Sequence, residues 1–496
     1  KNKKKEKGNI LITTYSGNNY LIKMIDLIFY VGFKIKGFNV YILQCDKTME
    51  LCQVSDYTLF KNNNFKYQSR ICNYCTRGFL KDFKNDYFKK IKLSDFKLSK
   101  IKYSHKITIL KKLNFPVDKF NEIVNSAVIR FNGRTTLNSS SRKVHKIKKL
   151  YLLSSLNFLI SIDQILKKFK IKKIISHHGI YSPQGLILEF AKLKKIPCYV
   201  WHQAYRKNSI SIYKNNNQHA FFPDLLKWKK FNFTNYDKLK IRKYLNSRKS
   251  GTNDWVKYQS NEKKILKKNY FKNNNETYLL ATNVSWDAQI HFKKNFFKNM
   301  EEFIAFTINY FIKHKNKNLI VRCHPGELLS QVPSSSKVSD FIKNRFSALP
   351  ENIKIIDSFS NVNTLELGRF CDAILVYASK ISIEFACQGK PVICCGEAWI
   401  KGKNITFDPK NINEYLSILN HSTQFLKNIS KNKINEALKF AFYLFYKKTI
   451  ELESIKKGVF FEKSYTDLSL ISQSKMKDVN LEYIINCIIN NKDVIK

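Results

Sequence analysis

At 496 residues the chain exceeds the roughly 250–300 residues at which a single hydrophobic core stops growing, so two domains are expected. An apolar share of 44% can fill two such cores and excludes a disordered chain. The net charge of +50 would suit nucleic acid, an anionic membrane or a phosphorylated substrate, but the lysines are scattered and Lys, Asn, Ile, Phe and Tyr are abundant together, as A/T-rich codon usage would produce.

The basic start Lys1–Gly8 runs directly into an apolar strand and lacks the small-residue cleavage pattern of a signal peptide. The most apolar long stretch, Tyr151–Leu166, is short for a membrane span and is broken by Asn157 and Asp163. Both features lead to the expectation of a cytoplasmic protein. The 11 cysteines agree with it: Cys394 and Cys395 are adjacent, Cys198 and Cys371 sit in apolar runs, and the set reads as small buried hydrophobes rather than a disulfide framework.

In chain order, Asn9–Thr14 reads as a strand, Tyr20–Lys34 as a helix with apolar residues at Leu21, Met24, Ile25, Ile28 and Phe29, and Phe38–Leu43 as a second strand. That βαβ unit implies a parallel sheet. A polar, lysine-rich excursion covers about residues 55–120. The pattern resumes with a helix at Leu150–Phe169, a strand at Lys173–Ser176, a helix at Gln184–Leu193 and a strand at Pro197–Trp201. Residues 246–275, dominated by Lys, Asn, Ser and Gly, read as the connection between domains.

A second α/β set follows, with strands at Tyr278–Ala281, Asn318–Arg322, Ile353–Ile356, Ala373–Tyr377 and Pro391–Cys395, and helices at Met300–Lys313 and Ile381–Gln388. The expected fold is therefore α/β: a Rossmann-like domain over residues 1–245, a linker at 246–275, a second Rossmann-like domain over 276–411 and a helical segment at 412–496 that returns toward the first. Two such domains facing one another would form a cleft at the carboxyl ends of their strands, where ligands of open α/β sheets bind.

Two segments carry most of the chemistry. Leu319–Glu327 (LIVRCHPGE) is an apolar strand that ends in Arg322 and His324, a pair suited to a phosphate or pyrophosphate leaving group. A surface Pro-Gly turn would look similar in isolation. In Val376–Ile393 (VYASKISIEFACQGKPVI) a buried strand breaks at Ala378 and Ser379, and a helix begins whose hydroxyls and first N–H groups suit an anion. Glu384, one turn into that helix, would accept hydrogen bonds from ribose hydroxyls, although Ser379, Ser382 and Glu384 could equally serve as helix caps.

The stretches ATNVSWDAQ (Ala281–Gln289), VRCHPGE (Val321–Glu327), YASKISIEFACQGKPVICCGEAW (Tyr377–Trp399) and GKNITFD (Gly402–Asp408) together resemble the bacterial capsular polysaccharide biosynthesis proteins, distant relatives of the GT-B transferases for Kdo and similar sugars. The resemblance covers about Tyr278–Asp408, with a weaker likeness near Lys173–Gln203. It implies a GT-B-type, metal-independent glycosyltransferase that moves a sugar from a nucleotide-activated donor to a growing surface or capsular glycan. Carried onto this sequence, it implies that Arg322 and His324 contact the donor phosphates, that Ser379 and Glu384 bind phosphate and ribose, that Asn283 and Asp287 lie near the cleft, and that Lys390 of the G-K-P-V segment belongs to the substrate-binding set. Lys380 and Ser382 stand where that family usually has Thr and Gly, and Asn404 replaces the second glycine of its later turn.

For deprotonating an acceptor hydroxyl the candidates are His177 or His178, at the end of the strand in IISHHGIY, with Asp287 a competing base. Cys45, Cys52, Cys72 and Cys75 could hold a structural zinc ion or remain reduced thiols. No D-x-D motif, Walker A loop or G-x-G-x-x-G loop is present, so no catalytic metal or cofactor is expected. The expected partners are a nucleotide-activated sugar, a glycan or lipid-linked glycan acceptor and the anionic inner face of the membrane, with no specific nucleic acid. A polyol-phosphate transferase would use the same phosphate-binding ends. A non-enzymatic protein that binds nucleic acid or an anionic surface would account for the charge, but not for Arg322, His324 and Glu384 arriving at successive element ends.

Overall fold

Apolar residues in an unbroken run need cover on both faces, and strands that carry such runs become the centres of parallel sheets. Asn9–Ile12 (β1) is one: Ile10, Leu11 and Ile12 are fully buried. The computed structural model describes residues 7–13, 17, 19–54, 68–83, 87–97, 101–135, 137, 140–216, 227–255, 270–287, 295–330, 333–421, 429–457, 464–466, 468–471 and 476–496. The chain forms two compact units, the first from Lys1–Asn132, Thr136–Ala220 and Lys448–Lys496, the second from Gly133–Thr135 and Phe221–Lys447. Each is α/β and Rossmann-like.

In the first unit β1 is joined by Asn39–Gln44 (β2), Lys89–Lys92 (β3), Ile171–His177 (β4), Cys198–Gln203 (β5) and Ser209–Lys214 (β6). The sheet runs β3-β2-β1-β4-β5-β6 and ends on the short strand Ile450–Glu451. Pairing is parallel from β3 to β5, and antiparallel from β5 to β6 and from β6 to Ile450–Glu451. The helix Tyr20–Ile35 starts where Asn19 accepts a hydrogen bond from the Ile22 N–H at 3.1 Å, and it buries the Met24, Ile25, Ile28 and Phe29 stripe.

The lysine-rich excursion is more ordered than its composition suggests: it contains β3 and the helices Gln68–Asp82 and Lys106–Leu113, and it runs into the helix Val117–Asn132, while residues 55–67 lie outside the described part. β3 (KKIK) is an edge strand that buries only Ile91, so it carries no apolar run to betray it. Among the described residues no helix is long and apolar enough to cross a membrane.

The second unit holds five parallel strands: Glu276–Ala281 (β7), Lys317–Arg322 (β8), Ile353–Ile356 (β9), Ala373–Val376 (β10) and Val392–Cys394 (β11). Their order is β11-β10-β7-β8-β9. The helix Met300–Lys313 is capped by Asn299, which accepts from the Glu302 N–H at 2.9 Å, and its Phe303, Ile304, Ile308 and Phe311 share one core with Tyr278, Leu280, Leu319 and Val321. Each such side chain, fully buried, stabilises the unit by roughly 1.5–3 kcal/mol.

The units divide the chain differently from the composition-based boundaries. The first long segment ends at Ala220 rather than 245, because the helix Asn235–Ser247 packs on Lys431–Phe442 inside the second unit, with Tyr244 against Phe445 at 5.1 Å between ring centres. The presumed linker begins with structure of its own, since Arg248 and Asp254 are packed into that unit, whereas residues 256–269 lie outside the described part. The terminal helical segment divides: 412–447 belongs to the second unit and 448–496 to the first.

Candidate functional site

In the second unit the chain leaves β7 for β8 and β9 on one side, then returns to β10 and β11 on the other. The point where the order reverses, between the carboxyl ends of β7 and β10, is where open parallel sheets leave a crevice. Three loops meet around it: 282–287 after β7, 323–327 after β8 and 377–380 after β10.

His324 is held at this edge by its backbone and its ring. Its N–H donates to the Thr282 hydroxyl at 2.9 Å, and its Nδ1 accepts from the Gly326 N–H at 2.9 Å. With Nδ1 an acceptor, the ring proton sits on Nε2. Burial, followed by the neighbouring charges of Arg322 and Lys380, pulls the His324 pKa down to about 4. At neutral pH His324 is therefore an uncharged N–H donor. A Cβ on Gly326 would stand 2.7 Å from the imidazole Nδ1 and 3.0 Å from Val284, so this ring position requires glycine at 326.

Arg322 does not project into the crevice as expected. Its guanidinium turns inward and donates to the carbonyls of Cys323 (2.9 Å), Ser360 (3.0 Å), Val362 (3.1 Å) and Asp357. At 2% exposure it holds the 357–362 loop against the end of β8 rather than meeting a ligand. Lys390 is also corrected. It precedes β11, and its ammonium donates to the carbonyls of Arg369 and Cys371, each at 2.8 Å, just ahead of β10. That is the amino edge of the sheet, opposite the crevice.

Glu384 lies in the helix Ile381–Cys387 within a buried charge network. Its Oε1 accepts from Lys380 Nζ at 2.5 Å and from Arg248 Nε at 2.6 Å. Arg248 also donates to Asp254 at 2.5 Å and to the Tyr244 hydroxyl at 3.1 Å, and Tyr244 donates to Asp254 at 2.7 Å. Burial would raise the Glu384 pKa, but Lys380 and Arg248 outweigh it and hold the carboxyl below its ordinary value. Glu384 Oε2 is buried and has no hydrogen-bond partner among the described residues, which leaves one acceptor for a ligand hydroxyl.

Ser379 is buried at the same turn, with its carbonyl accepting the Ser382 hydroxyl at 2.8 Å, so the Ser382 hydroxyl is used within the turn. Asn283 Nδ2 donates to the Val284 carbonyl at 3.2 Å, while its Oδ1 is buried with no partner among the described residues. Asp287 is exposed at the end of this loop. Asn404 takes φ 59°, the left-handed conformation a glycine would otherwise supply and asparagine tolerates. The turn around it is closed by Asp408, which accepts from the Gly402 N–H at 2.7 Å and the Thr406 hydroxyl at 2.6 Å.

Glu327 was not singled out in the sequence. It is fully buried behind the His-Pro-Gly turn, with Oε1 accepting from the Val338 N–H at 2.9 Å. The Ser358 hydroxyl stands nearby, yet Oε2 has no hydrogen-bond partner among the described residues. Burial raises its pKa to about 7. Between the ordinary carboxylate value and about 7 the unfolded chain ionises while the folded one stays protonated, so this group's contribution to stability falls as pH rises through that window. Glu327→Gln keeps the acceptor and removes the ionisation. Urea unfolding should then show a flatter loss of stability between about pH 5 and 7 and a gain of about 1–3 kcal/mol above it; an unchanged pH slope would disprove the assignment.

In the first unit β4 ends at His177 and β5 at His202 and Gln203. The His177 ring packs on Trp201 at 4.4 Å, and burial pulls its pKa down to about 3, so it is a weak base. His178 takes φ 66°, an uncommon conformation for a large side chain, and its ring lies 5.3 Å from Tyr181 and 5.4 Å from His202. Backbone of this kind concentrates at functional sites, which sets His178 apart from the buried His177.

Cys45, Cys52, Cys72 and Cys75 all line one cavity of about 20 Å³ in this unit, where the Gly17 N–H donates to Cys75 Sγ at 3.1 Å. Among the described residues, however, no three His, Cys, Asp or Glu side chains form a group that could hold a metal ion. Burial pushes the Cys45 thiol up to about 12. The arrangement suits thiols in a small apolar cavity better than zinc thiolates.

Three solved structures illustrate what the chain is similar to. The beta Kdo 2,4 transferase of Thermosulfurimonas dismutans KpsC matches at 14% identity and a TM-score of 0.40, over 61% of this chain and 87% of that one. The beta Kdo 2,7 transferase of the same KpsC matches at 14% identity and a TM-score of 0.35, over 74% and 97%. The S. aureus MnaA–UDP structure matches at 11% identity and a TM-score of 0.31, over 98% and 96%. No curated protein sequence matches. The family model described as capsule polysaccharide biosynthesis protein matches residues 176–442, more than half of the 496 residues, including β5, the whole second sheet, His324 and Glu384. The chain belongs to the capsule polysaccharide biosynthesis protein family.

Proposed function

We propose that the chain is a GT-B-type glycosyltransferase that moves a sugar from a nucleotide-activated donor to a growing capsular glycan. One observation carries this reading: the uncharged His324 N–H donor, on the loop after β8, and the unpartnered Glu384 Oε2 acceptor, on the helix after β10, lie beside the switch point of one parallel sheet. A nucleotide presents complementary chemistry, with phosphate oxygens to accept and ribose hydroxyls to donate. As the glycosidic bond to phosphate breaks, charge grows on the leaving oxygen, and a prepositioned N–H donor that needs no reorganisation stabilises it. Asn283 Oδ1 and Ser379 are further polar groups for the donor, and His178 of the first unit is the base that takes the acceptor hydroxyl's proton. No step in this scheme requires a metal ion.

The test is nucleotide release followed by mass spectrometry, using CMP-, UDP- and GDP-activated sugars with capsular oligosaccharide acceptors. The expected result is one nucleotide released together with an acceptor heavier by one sugar. An acceptor heavier by a polyol phosphate would replace this reading with a polyol-phosphate transferase.

The +50 charge supports placing the enzyme against an anionic membrane surface that carries lipid-linked acceptors. Sedimentation with phosphatidylserine or phosphatidylglycerol vesicles should show binding that weakens as salt rises; absence of such binding would remove the membrane from the account.

A further inference from the structure

The cation assigned to the site from the sequence, Arg322, turns inward, its terminal guanidinium nitrogens donating to the carbonyls of Cys323, Asp357, Ser360 and Val362. Two other cations stand at the switch point, Arg248 and Lys380, both paired with Glu384 Oε1. Arg248 is locked on several sides, by Glu384, Asp254 and the Tyr244 hydroxyl. Lys380 ends the loop after β10, shares its carboxylate oxygen with Arg248, and lies close enough to His324 to depress the imidazole's pKa. Its side chain is 13% exposed, and burial is the main cause that lowers its own pKa, to about 8. With Asp254 the network holds two cations and two carboxylates, so Arg248 keeps both carboxylates as partners when the Lys380 ammonium turns to an added anion.

We propose that Lys380 is the phosphate-binding cation of the nucleotide site, moving from Glu384 Oε1 to a donor phosphate oxygen while Arg248 keeps Glu384 in place with Oε2 turned to the ribose. This rests on the reading of the second unit as the nucleotide-sugar site. It also gives a physical role to a lysine where the resembling family usually has threonine: a charged hydrogen bond replaces a hydroxyl one, beside a histidine that stays neutral. Glu384 then does two things in turn, neutralising Lys380 in the empty site and accepting the ribose in the filled one.

The test is calorimetric titration of the full chain with the nucleoside diphosphate the enzyme prefers, the matching monophosphate and the phosphate-free nucleoside. Lys380→Met removes the charge. Lys380→Gln is measured beside it because it keeps a neutral donor for Glu384 and so protects folding. Both variants should bind the phosphorylated ligands about 10–100-fold more weakly and the nucleoside as the wild type does. Lys380→Gln that folds and keeps the wild-type ratio of diphosphate to nucleoside affinity overturns the assignment. Wild-type protein that binds no nucleotide at all overturns instead the reading of the second unit, which keeps the two failures distinct.

Discussion

Glu384→Ala is expected to cost about 3–5 kcal/mol of stability, more than an ordinary surface substitution by several fold. The carboxylate is 3% exposed and balances Lys380 and Arg248, themselves 13% and 14% exposed. Removing it leaves Arg248 with Asp254 but takes from the buried Lys380 ammonium the carboxylate that pairs with it. If that lost pairing is the cause, the double variant Lys380→Met, Glu384→Leu, which removes both charges and keeps the volume, should recover most of the loss. Urea unfolding at pH 7 measures both. A Glu384→Ala protein within about 1 kcal/mol of wild type would mean that water reaches the network and that its members are only loosely paired.

The second large effect is on turnover. His324→Ala should lower kcat for sugar transfer by about 100–1,000-fold, as the loss of a preorganised N–H donor to a developing anion does elsewhere, with only about 1 kcal/mol of destabilisation from the unpaired Gly326 N–H. His324→Gln, whose side-chain amide offers a neutral N–H donor, should restore part of the rate. A kcat within tenfold of wild type in His324→Ala would remove the histidine from the chemistry and leave it as a brace for the Pro-Gly turn. Since the imidazole is neutral well above its pKa of about 4, the His324-dependent part of the rate should be level across neutral pH.

How much of this was readable beforehand depends on the kind of signal each part carries. The strands of the second sheet were legible because they are buried runs such as LIV at 319–321 and AILV at 373–376, and their ends are marked by abrupt polarity. The same logic put His324, Ser379 and Asn283 just past strand ends and Glu384 in the helix that follows, which is where they lie in the fold. It failed for Arg322, because the direction of a side chain at a strand end is decided by which carbonyls lie beside it, and the 357–362 loop that offers them has no motif. Lys390 was misplaced for a different reason: residues just before a parallel strand lie at its amino end, and the likeness to a substrate-binding segment overrode that rule.

Arg248 and Asp254 were hidden in a stretch whose Lys, Asn, Ser and Gly content reads as a connection. The available clue was that arginine is scarce beside lysine in this chain, so an isolated Arg marks a place where the guanidinium fork is needed. β3 was missed because an edge strand needs few apolar residues, and β6 (SISIYK) because its buried serines interrupt the apolar run.

The most direct test of the central claim is a thermal-shift titration of wild-type and His324→Ala protein with CMP, UDP, GDP, CDP and ADP. A ligand that binds only the folded state raises the melting temperature, and a tighter ligand raises it more at the same concentration. The account predicts a concentration-dependent rise for one of these nucleotides in the wild type and a much smaller rise in the variant. No rise with any of the five, or an equal rise in both proteins, would contradict it.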